Sequence, residues 1–267
     1  MTLDTDDVTL SAATAASWLR RWDAQQQRYV ADRQERFAVL CDVVATALAG
    51  VAEPVIVDLG CGPGSLAARM HERLPSATVI GIDSDPLLLA IARANYPHDI
   101  RWVDADLATP SWQQQVPATI HAAVSTTALH WLPVDSLAEL YRVLASRMAP
   151  GGVLANGDHL GFGDARLHEL ATAIRDRRAE RAGVLHNEQW RSWWDAILAE
   201  PEFATLAGAR AERLAERRGG ANDRHRTGHG NGLTVEEHTE LLRAAGFSGV
   251  APMWQVGDDH VLIAIRS

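Results

Sequence analysis

The chain has 267 residues, a formal net charge of -9 and 47% hydrophobic residues. That is enough to bury a full core as one large domain, or one domain with a lid, and the acidic balance argues against a nucleic-acid surface as the main partner. The two cysteines, Cys41 and Cys61, stand at no metal or disulfide spacing and fit a reducing cytoplasm; no apolar run is long enough for a membrane span, and Met1-Thr2-Leu3-Asp4 lacks the basic start of a secretory leader. Every basic Lys/Arg position is arginine, a usage that speaks of a GC-rich genome more than of a function.

Residues 9 to 50 read as helical. Thr9-Leu10-Ser11 offers a cap, and Ala12 to Leu19 and then Tyr29 to Leu48 carry apolar positions at helical intervals, until Gly50 and Pro54 stop the pattern. Val55 to Leu59 is a short apolar run containing Asp58 and leading into Gly60, Gly62 and Gly64. Helix-forming residues from Leu66 follow, as expected of a buried parallel strand, a tight turn and a helix. Ala77 to Asp83 is a second strand ending in an acid, and Ser84-Asp85-Pro86 starts a helix with proline in its first turn. Ile100 through Asp104 and Asp106 to Leu107 is a third strand with its exit. Ile120 to Val124 is a fourth strand, and Ala149 to Leu154 opens a fifth. After Gly161-Phe162-Gly163-Asp164, three helical stretches follow: Ala165 to Arg181, Asn187 to Ala199 and Pro201 to Arg218. A loop from Gly219 to Gly232 is rich in Gly, Asn and His. Thr234 and Glu237 then make a capping box for a helix to Ala245, and Phe247 to Trp254 and Asp258 to Arg266 end the chain as two strands joined by Gly257.

The glycine spacing separates two kinds of nucleotide site. A dinucleotide fingerprint is G-x-G-x-x-G. This chain has G-x-G-x-G, with Asp58 two places before the first glycine, and that pattern resembles motif I of the class I S-adenosylmethionine-dependent methyltransferases. The later strands follow the same family in order and spacing, so the resemblance covers roughly Val55 to Asp158. It implies a doubly wound α/β fold: seven strands, six parallel and one antiparallel, with a terminal hairpin. A helical N-terminal segment (1–50) and a helical lid insertion (160–232) would cap a cofactor-binding core (51–159) that is completed by residues 233–267.

The resemblance also implies a cofactor, S-adenosylmethionine, and residues to hold it. These are Asp58, Gly60, Cys61 and Gly62 at the turn; Asp83 and Ser84, with Asp83 at the interval where an acid accepts from ribose hydroxyls; Ala105, Asp106 and Leu107 around the adenine, with Asp104 as a strand-end turn residue; and Ser125, Thr126 and His130 at the exit of strand four. In the N-terminal segment, Tyr29 and Arg36 match an aromatic-plus-arginine element in which the arginine pairs with the cofactor's carboxylate. Arg33 is the alternative, and an exposed helical arginine is the plain reading.

Strand four does not exit through the Asn/Asp-Pro-Pro-aromatic tetrapeptide of amino-methyltransferases. Its Ser125-Thr126-Thr127 and His130-Trp131 look more like relatives acting on small metabolites, such as trans-aconitate-type carboxyl methyltransferases and natural-product enzymes. A small-molecule methyl acceptor is therefore expected, methylated on O or N, with no nucleic acid and no membrane as partner; monomer and homodimer are both compatible with the residues. A sulfonium methyl is already activated, so a base matters only where the acceptor must lose a proton. His130 is the first candidate and His159 the second, with Asp158 able to orient either. Packing of His130-Trp131 beneath the cofactor's methionine arm is the competing account. Rival readings are an NAD(P)-dependent oxidoreductase on a doubly wound fold and a non-catalytic S-adenosylmethionine-binding module.

Tryptophans concentrate in the two capping parts: Trp18 and Trp22 before the core, and Trp190, Trp193 and Trp194 in the insertion. They read either as lid packing or as an acceptor pocket. His225 and His229 near Asp223 fall among glycines, so no metal is expected. The basic stretch from Arg210 through Arg213 to Arg226 is interleaved with glutamates and reads as a solvated helix with i, i+4 ion pairs.

Overall fold

The computed structural model describes residues 10–96, 100–219 and 230–267. Thr9, and the Asp223, His225 and His229 group with Arg224 and Arg226, lie outside the described residues. The first helix, α1, runs from Ala12 to Tyr29 behind Ser11, whose side chain accepts from the Thr14 N–H. It is longer than its periodicity suggests, and the chain restarts at Arg33 as α2 (Arg33–Ala47). The core then alternates β1 (Val55–Leu59), α3 (Ser65–Arg73), β2 (Thr78–Asp83), α4 (Pro86–Asn95), β3 (Ile100–Asp104), β4 (Ile120–Thr126), α5 (Val134–Arg147) and β5 (Met148–His159). Three helices follow: α6 (Ala165–Ala182), α7 (Trp190–Leu198) and α8 (Ala204–Gly219). The chain ends in α9 (Val235–Ala245), β6 (Gly249–Val256) and β7 (Asp259–Ile265). Thr234 and Glu237 form the expected capping box of α9.

The seven strands lie in the order β3-β2-β1-β4-β5-β7-β6. All pairs through β5 are parallel, and β7 runs antiparallel to both β5 and β6. The order reverses between β1 and β4, and in such sheets the crevice at the carboxyl ends of the strands beside this switch is the ligand position. One face of the sheet packs Val57, Ile80, Ala123 and Leu154 beneath α5 and α9, and the other packs Ile56, Val79, Val124 and Ala155 beneath α2 and α3. Among the described residues, no helix is long and apolar enough to cross a membrane.

A third apolar cluster lies off the sheet, where α1, α4, α7 and α8 meet. It contains Trp18, Leu87, Leu88, Trp193, Trp194, Phe203 and Leu206. Trp193 is fully buried, edge-on to Trp18 at 5.6 Å, to Trp22 at 4.9 Å and to Trp194 at 5.0 Å. Edge-to-face pairs add about 0.5–1.5 kcal/mol each beyond burial. Packing is thus what these four tryptophans do here, while Trp190 stays 43% exposed. Trp193→Ala is expected to destabilise the protein by roughly 3–5 kcal/mol in urea unfolding. A loss well under 1 kcal/mol would show that the off-sheet cluster does not unfold together with the core.

Candidate active site

The glycine turn is held by its neighbour strand. The N–H groups of Gly60 and Cys61 both donate to the Ile82 carbonyl, at 2.8 and 2.9 Å, and the Gly62 N–H donates to Asp83 Oδ2 at 2.8 Å. Gly60 and Gly64 adopt φ of +70° and +88°. A Cβ on Gly60 would overlap Ala128, and one on Gly64 would stand 2.5 Å from the Trp102 ring, so side chains are excluded there by space as well as by backbone. Cys61 is buried and its thiol pKa is pushed well up by desolvation, which leaves it unreactive.

Two acids stand at this turn in different states. Asp83 Oδ1 accepts from the Asp85 N–H at 2.9 Å, and the Ser84 N–H also bears on the carboxylate, so backbone donors hold both oxygens. Burial raises its pKa to about 6 against those donors. Asp58 is fully buried with no side-chain partner for either oxygen among the described residues, and burial, offset only in part by the Ala67 N–H, raises its pKa to about 8. A carboxyl group held inside with so little of its bonding capacity used is the feature of this crevice that fits a polar ligand.

The third strand continues the line. The Ala105 N–H donates to the Asp83 carbonyl at 3.0 Å, and Asp106 closes a turn on the Ala108 N–H at 2.9 Å. Asp104, expected as a turn residue, instead accepts a forked bond from Arg213 of α8. Leu107 packs against the main core and lines a separate cleft of about 260 Å³ with Trp112, Leu140 and Val143.

Strands four and five meet in a dyad. His130 Nδ1 lies 2.7 Å from Asp158 Oδ1, and the backbone N–H groups of His130 and His159 donate to the two Asp158 oxygens at 3.3 and 2.9 Å. Asp158 is fully buried on β5. Burial alone would raise its pKa, but the charges of His130, His159 and Arg36 bring it down to about 2. Burial pulls the His130 pKa down, and the Asp158 charge outweighs it, leaving a net rise. With Nδ1 on the carboxylate, the other ring nitrogen is the free end of an imidazole that is 22% exposed. The turn that carries it is anchored from two sides. Thr127 sits at φ 50°, a strained value for a β-branched residue, with its N–H on the Gly157 carbonyl at 2.9 Å. The Asn231 N–H donates to the His130 carbonyl at 2.7 Å, and its side chain reaches the carbonyls of Leu129 and Leu132.

The remaining expected residues fall in other places. The Ser125 hydroxyl donates to the Leu59 carbonyl within the sheet at 2.8 Å. His159 stands 3.6 Å from Asp258, beyond hydrogen bonding, and Arg175 takes the other Asp258 oxygen at 2.7 Å. Arg36 is fully buried, not an exposed helical arginine. It passes over Gly157, donating to Asp259 at 2.7 Å and to Thr126 Oγ1 at 2.7 Å, so its fork is turned onto the protein's own acid and hydroxyl rather than left open. Arg33 bonds Asp23 at 2.7 Å, and Asp23 accepts from Ser65 at the start of α3. Tyr29 is 42% exposed, and its hydroxyl accepts from the Trp190 N–H at 3.0 Å. Sequence reasoning missed Asp258 and Asp259, which reach the mouth because β7 starts antiparallel beside the end of β5. It also missed Asn231, for which no local pattern gives a signal.

Sheet order and glycine turn together are those of the α/β methyltransferase fold. A family model described as a methyltransferase domain matches residues 56–152. The trans-aconitate 2-methyltransferases of Escherichia coli O139:H28 and Shigella flexneri are each 40% identical to the chain over 100 residues, 38% of this chain and 37% of theirs. The match thus spans well under half the length of these curated relatives. Among solved structures, human N-acetylserotonin methyltransferase in complex with SAM aligns over 92% of this chain and 56% of its own, with a TM-score of 0.52 and 16% identity. An O-methyltransferase family protein from Burkholderia thailandensis aligns over 91% and 63%, with a TM-score of 0.54 and 16% identity. At such identities the two structures speak for the fold.

The buried Asp58 carboxyl sets up a stability test. Its folded pKa lies above its ordinary value, so the folded state holds a proton that the unfolded chain releases, and stability falls as pH rises from about 4 towards 8. Asp58→Asn should therefore stabilise the ligand-free protein by about 1–3 kcal/mol near neutral pH and by little at pH 4. Thermal denaturation of both forms across that range checks it; a difference that does not change with pH would count against a buried, neutral Asp58.

Proposed function

We propose that this protein transfers a methyl group from S-adenosylmethionine to a hydroxyl oxygen of a small molecule, with His130 as general base and Asp158 as the residue that orients it. The observation that carries the reading is the 2.7 Å contact between His130 Nδ1 and Asp158 at the carboxyl ends of β4 and β5. The match to a methyltransferase domain and the class I fold support the cofactor; the names of the relatives support a small metabolite as acceptor.

The crevice residues suit that cofactor. Asp83, its carboxylate fixed by backbone donors, would accept from the ribose diol, and Ala105 to Leu107, with Ser84, would border the base. The Gly60–Gly62 turn and the buried Asp58 would face the amino-acid arm, below Tyr29 and the strand-four exit at Ser125 and Thr126. When bound, the cofactor supplies a sulfonium methyl already activated for displacement. The protein's tasks are then alignment, exclusion of water and removal of one proton.

A hydroxyl acceptor is the one that needs the dyad. A carboxylate is already ionised near neutral pH and gains nothing from a base, whereas a phenol holds its proton until about pH 10. His130 would take that proton on the nitrogen turned away from Asp158, and the buried carboxylate would stabilise the imidazolium that forms. His159 is turned towards Asp258, whose other oxygen Arg175 holds, and so is a weaker candidate for the proton.

Turnover of a phenolic or alcoholic acceptor, followed as S-adenosylhomocysteine release, tests the reading. Its rate is expected to rise with pH through a midpoint above the ordinary histidine value of 6.5, because the base must be neutral and Asp158 holds its proton on. His130→Ala should lower turnover at least a hundredfold at neutral pH, flatten the profile and leave cofactor affinity within a few fold. Equal turnover in both forms would return His130 to packing. Asp83→Ala should weaken S-adenosylhomocysteine binding by roughly 1–3 kcal/mol in calorimetry. Unchanged affinity would take Asp83 out of the site, and tight NAD binding without S-adenosylhomocysteine binding would replace the methyltransferase reading by the oxidoreductase.

A further inference from the structure

Helix α8 crosses the carboxyl ends of β2 and β3, and two of its arginines grip them. Arg210 and Arg213, three positions apart, share one helix face. Arg210 Nε donates to Asp85 Oδ2 at 2.6 Å, and its guanidinium stacks on the Trp194 ring at 3.9 Å. Arg213 forks onto Asp104 at 2.7 and 2.6 Å and also donates to the Ser84 carbonyl at 2.9 Å. Glu212 and Glu216 stand on the same helix, yet Arg213 reaches across to the core acid. The solvated helix with internal ion pairs expected from the sequence is replaced, at these two positions, by bonds to the sheet.

The acceptors of these bonds surround one residue. Asp85 follows Asp83 by two positions and donates its own N–H to the Asp83 carboxylate; Ser84 lies between them; Asp104 is the register partner of Asp83 across β2 and β3. Both arginines therefore bear on the acid that would hold the ribose. The rest of the attachment is light. Leu206, in the off-sheet cluster, and Ala209 are buried, but no side chain from Arg210 to Glu216 is, so those nearly two turns of helix are joined to the core mainly through charge. Ion pairs that are a fifth to a third exposed can break and re-form with salt and with ligand, where an apolar seam would not.

We propose that Arg210 and Arg213 form an ionic clasp over the nucleoside end of the crevice, with Arg213 as a positioning residue for Asp83: closed, it retains the cofactor, and it opens for cofactor exchange. The proposal rests on the S-adenosylmethionine reading of the crevice. Arg213 sets the Asp83–Ser84 backbone through the Ser84 carbonyl and joins it to the end of β3. Retention is thereby tied to a helix that follows the acceptor-side strand β5 in the chain.

The test is the dissociation rate of S-adenosylhomocysteine, by stopped-flow displacement, with affinity by calorimetry and thermal stability alongside. Arg213→Ala and Asp104→Ala should each speed dissociation roughly tenfold, with KM for S-adenosylmethionine rising more than kcat falls. Dissociation from the native chain should quicken with ionic strength, and the two variants should lose most of that dependence. Arg213→Asp combined with Asp104→Arg should recover much of the native rate, and Arg213→Lys, which keeps the charge without the fork, should fall between. Unchanged dissociation in folded single variants would overturn the clasp alone. Faster dissociation that follows a lowered melting temperature and is not recovered by the exchanged pair would reduce the contact to structural support. No S-adenosylhomocysteine binding by the native chain would overturn the cofactor reading, and the clasp with it.

Discussion

Carboxylates buried at the ends of parallel strands are the constraint around which this crevice is organised. An acid taken out of water must be paired, given N–H donors or kept protonated, because a bare charge in the interior is too costly to hold. The chain uses all three solutions within one sheet. Asp158 is paired with His130 and stays ionised far below the ordinary carboxylate pKa. Asp83 is held by the Gly62 and Asp85 N–H groups, which offset part of its burial. Asp58 has no charged partner and only slight help from the Ala67 N–H, and is driven towards the neutral form. Each solution also dictates local structure. The dyad fixes the ring of His130, and the Gly62 bond draws the glycine turn onto β2, which is one reason the turn takes a shape that only glycines tolerate.

The parts that cover the sheet are joined by two different kinds of force. The tryptophan cluster of α1 and α7 is apolar and continuous with Leu87 and Leu88 of α4, so it behaves as a piece of core. Around its edge the contacts are ionic: Arg21 with Glu188, Arg178 with Asp32, Arg175 with Asp258, and the two arginines of α8. Most of these bonds have solvent nearby, and each is individually weak. A cover with an apolar hub and a charged rim can stay attached while its edges open.

Much of this architecture was legible from local chemistry. Short β-branched runs ending in glycine or acid marked β1 and β2, an apolar run marked β4, and Thr234 with Glu237 marked the start of α9. Asp83 and the glycine turn could be paired by spacing, because a parallel β-α-β unit brings the ends of adjacent strands together. His130 and Asp158 could be named individually, but their contact depends on the register of β4 against β5, where Ser125 faces Asn156, and spacing does not encode that register. The arginines show the opposite failure. On its own helix Arg213 has glutamates at hand, and only the tertiary placement of α8 over β3 makes Asp104 the better partner. Arg36 likewise gave no sign of being buried, since its burial needs Gly157 beneath it and Asp259 beside it, one from each of two distant strands.

Resemblance and chemistry also part company at a definite place along the chain. The methyltransferase domain match ends at Gly152, just inside β5, so it covers the glycine turn and Asp83 but stops before Asp158, α6 to α8 and Asn231. The curated relatives that match over 100 residues are named for trans-aconitate, a polycarboxylate. The described arginines nearest the mouth are already engaged by the chain's own acids: Arg36 by Asp259, Arg175 by Asp258 and Arg178 by Asp32. The three pairs are not equal: Arg175 and Arg178 are about a third exposed and could be released at small cost, whereas freeing Arg36 for an anionic ligand would break a fully buried pair and leave Asp259 without its partner. An uncharged ligand makes no such demand on Arg36.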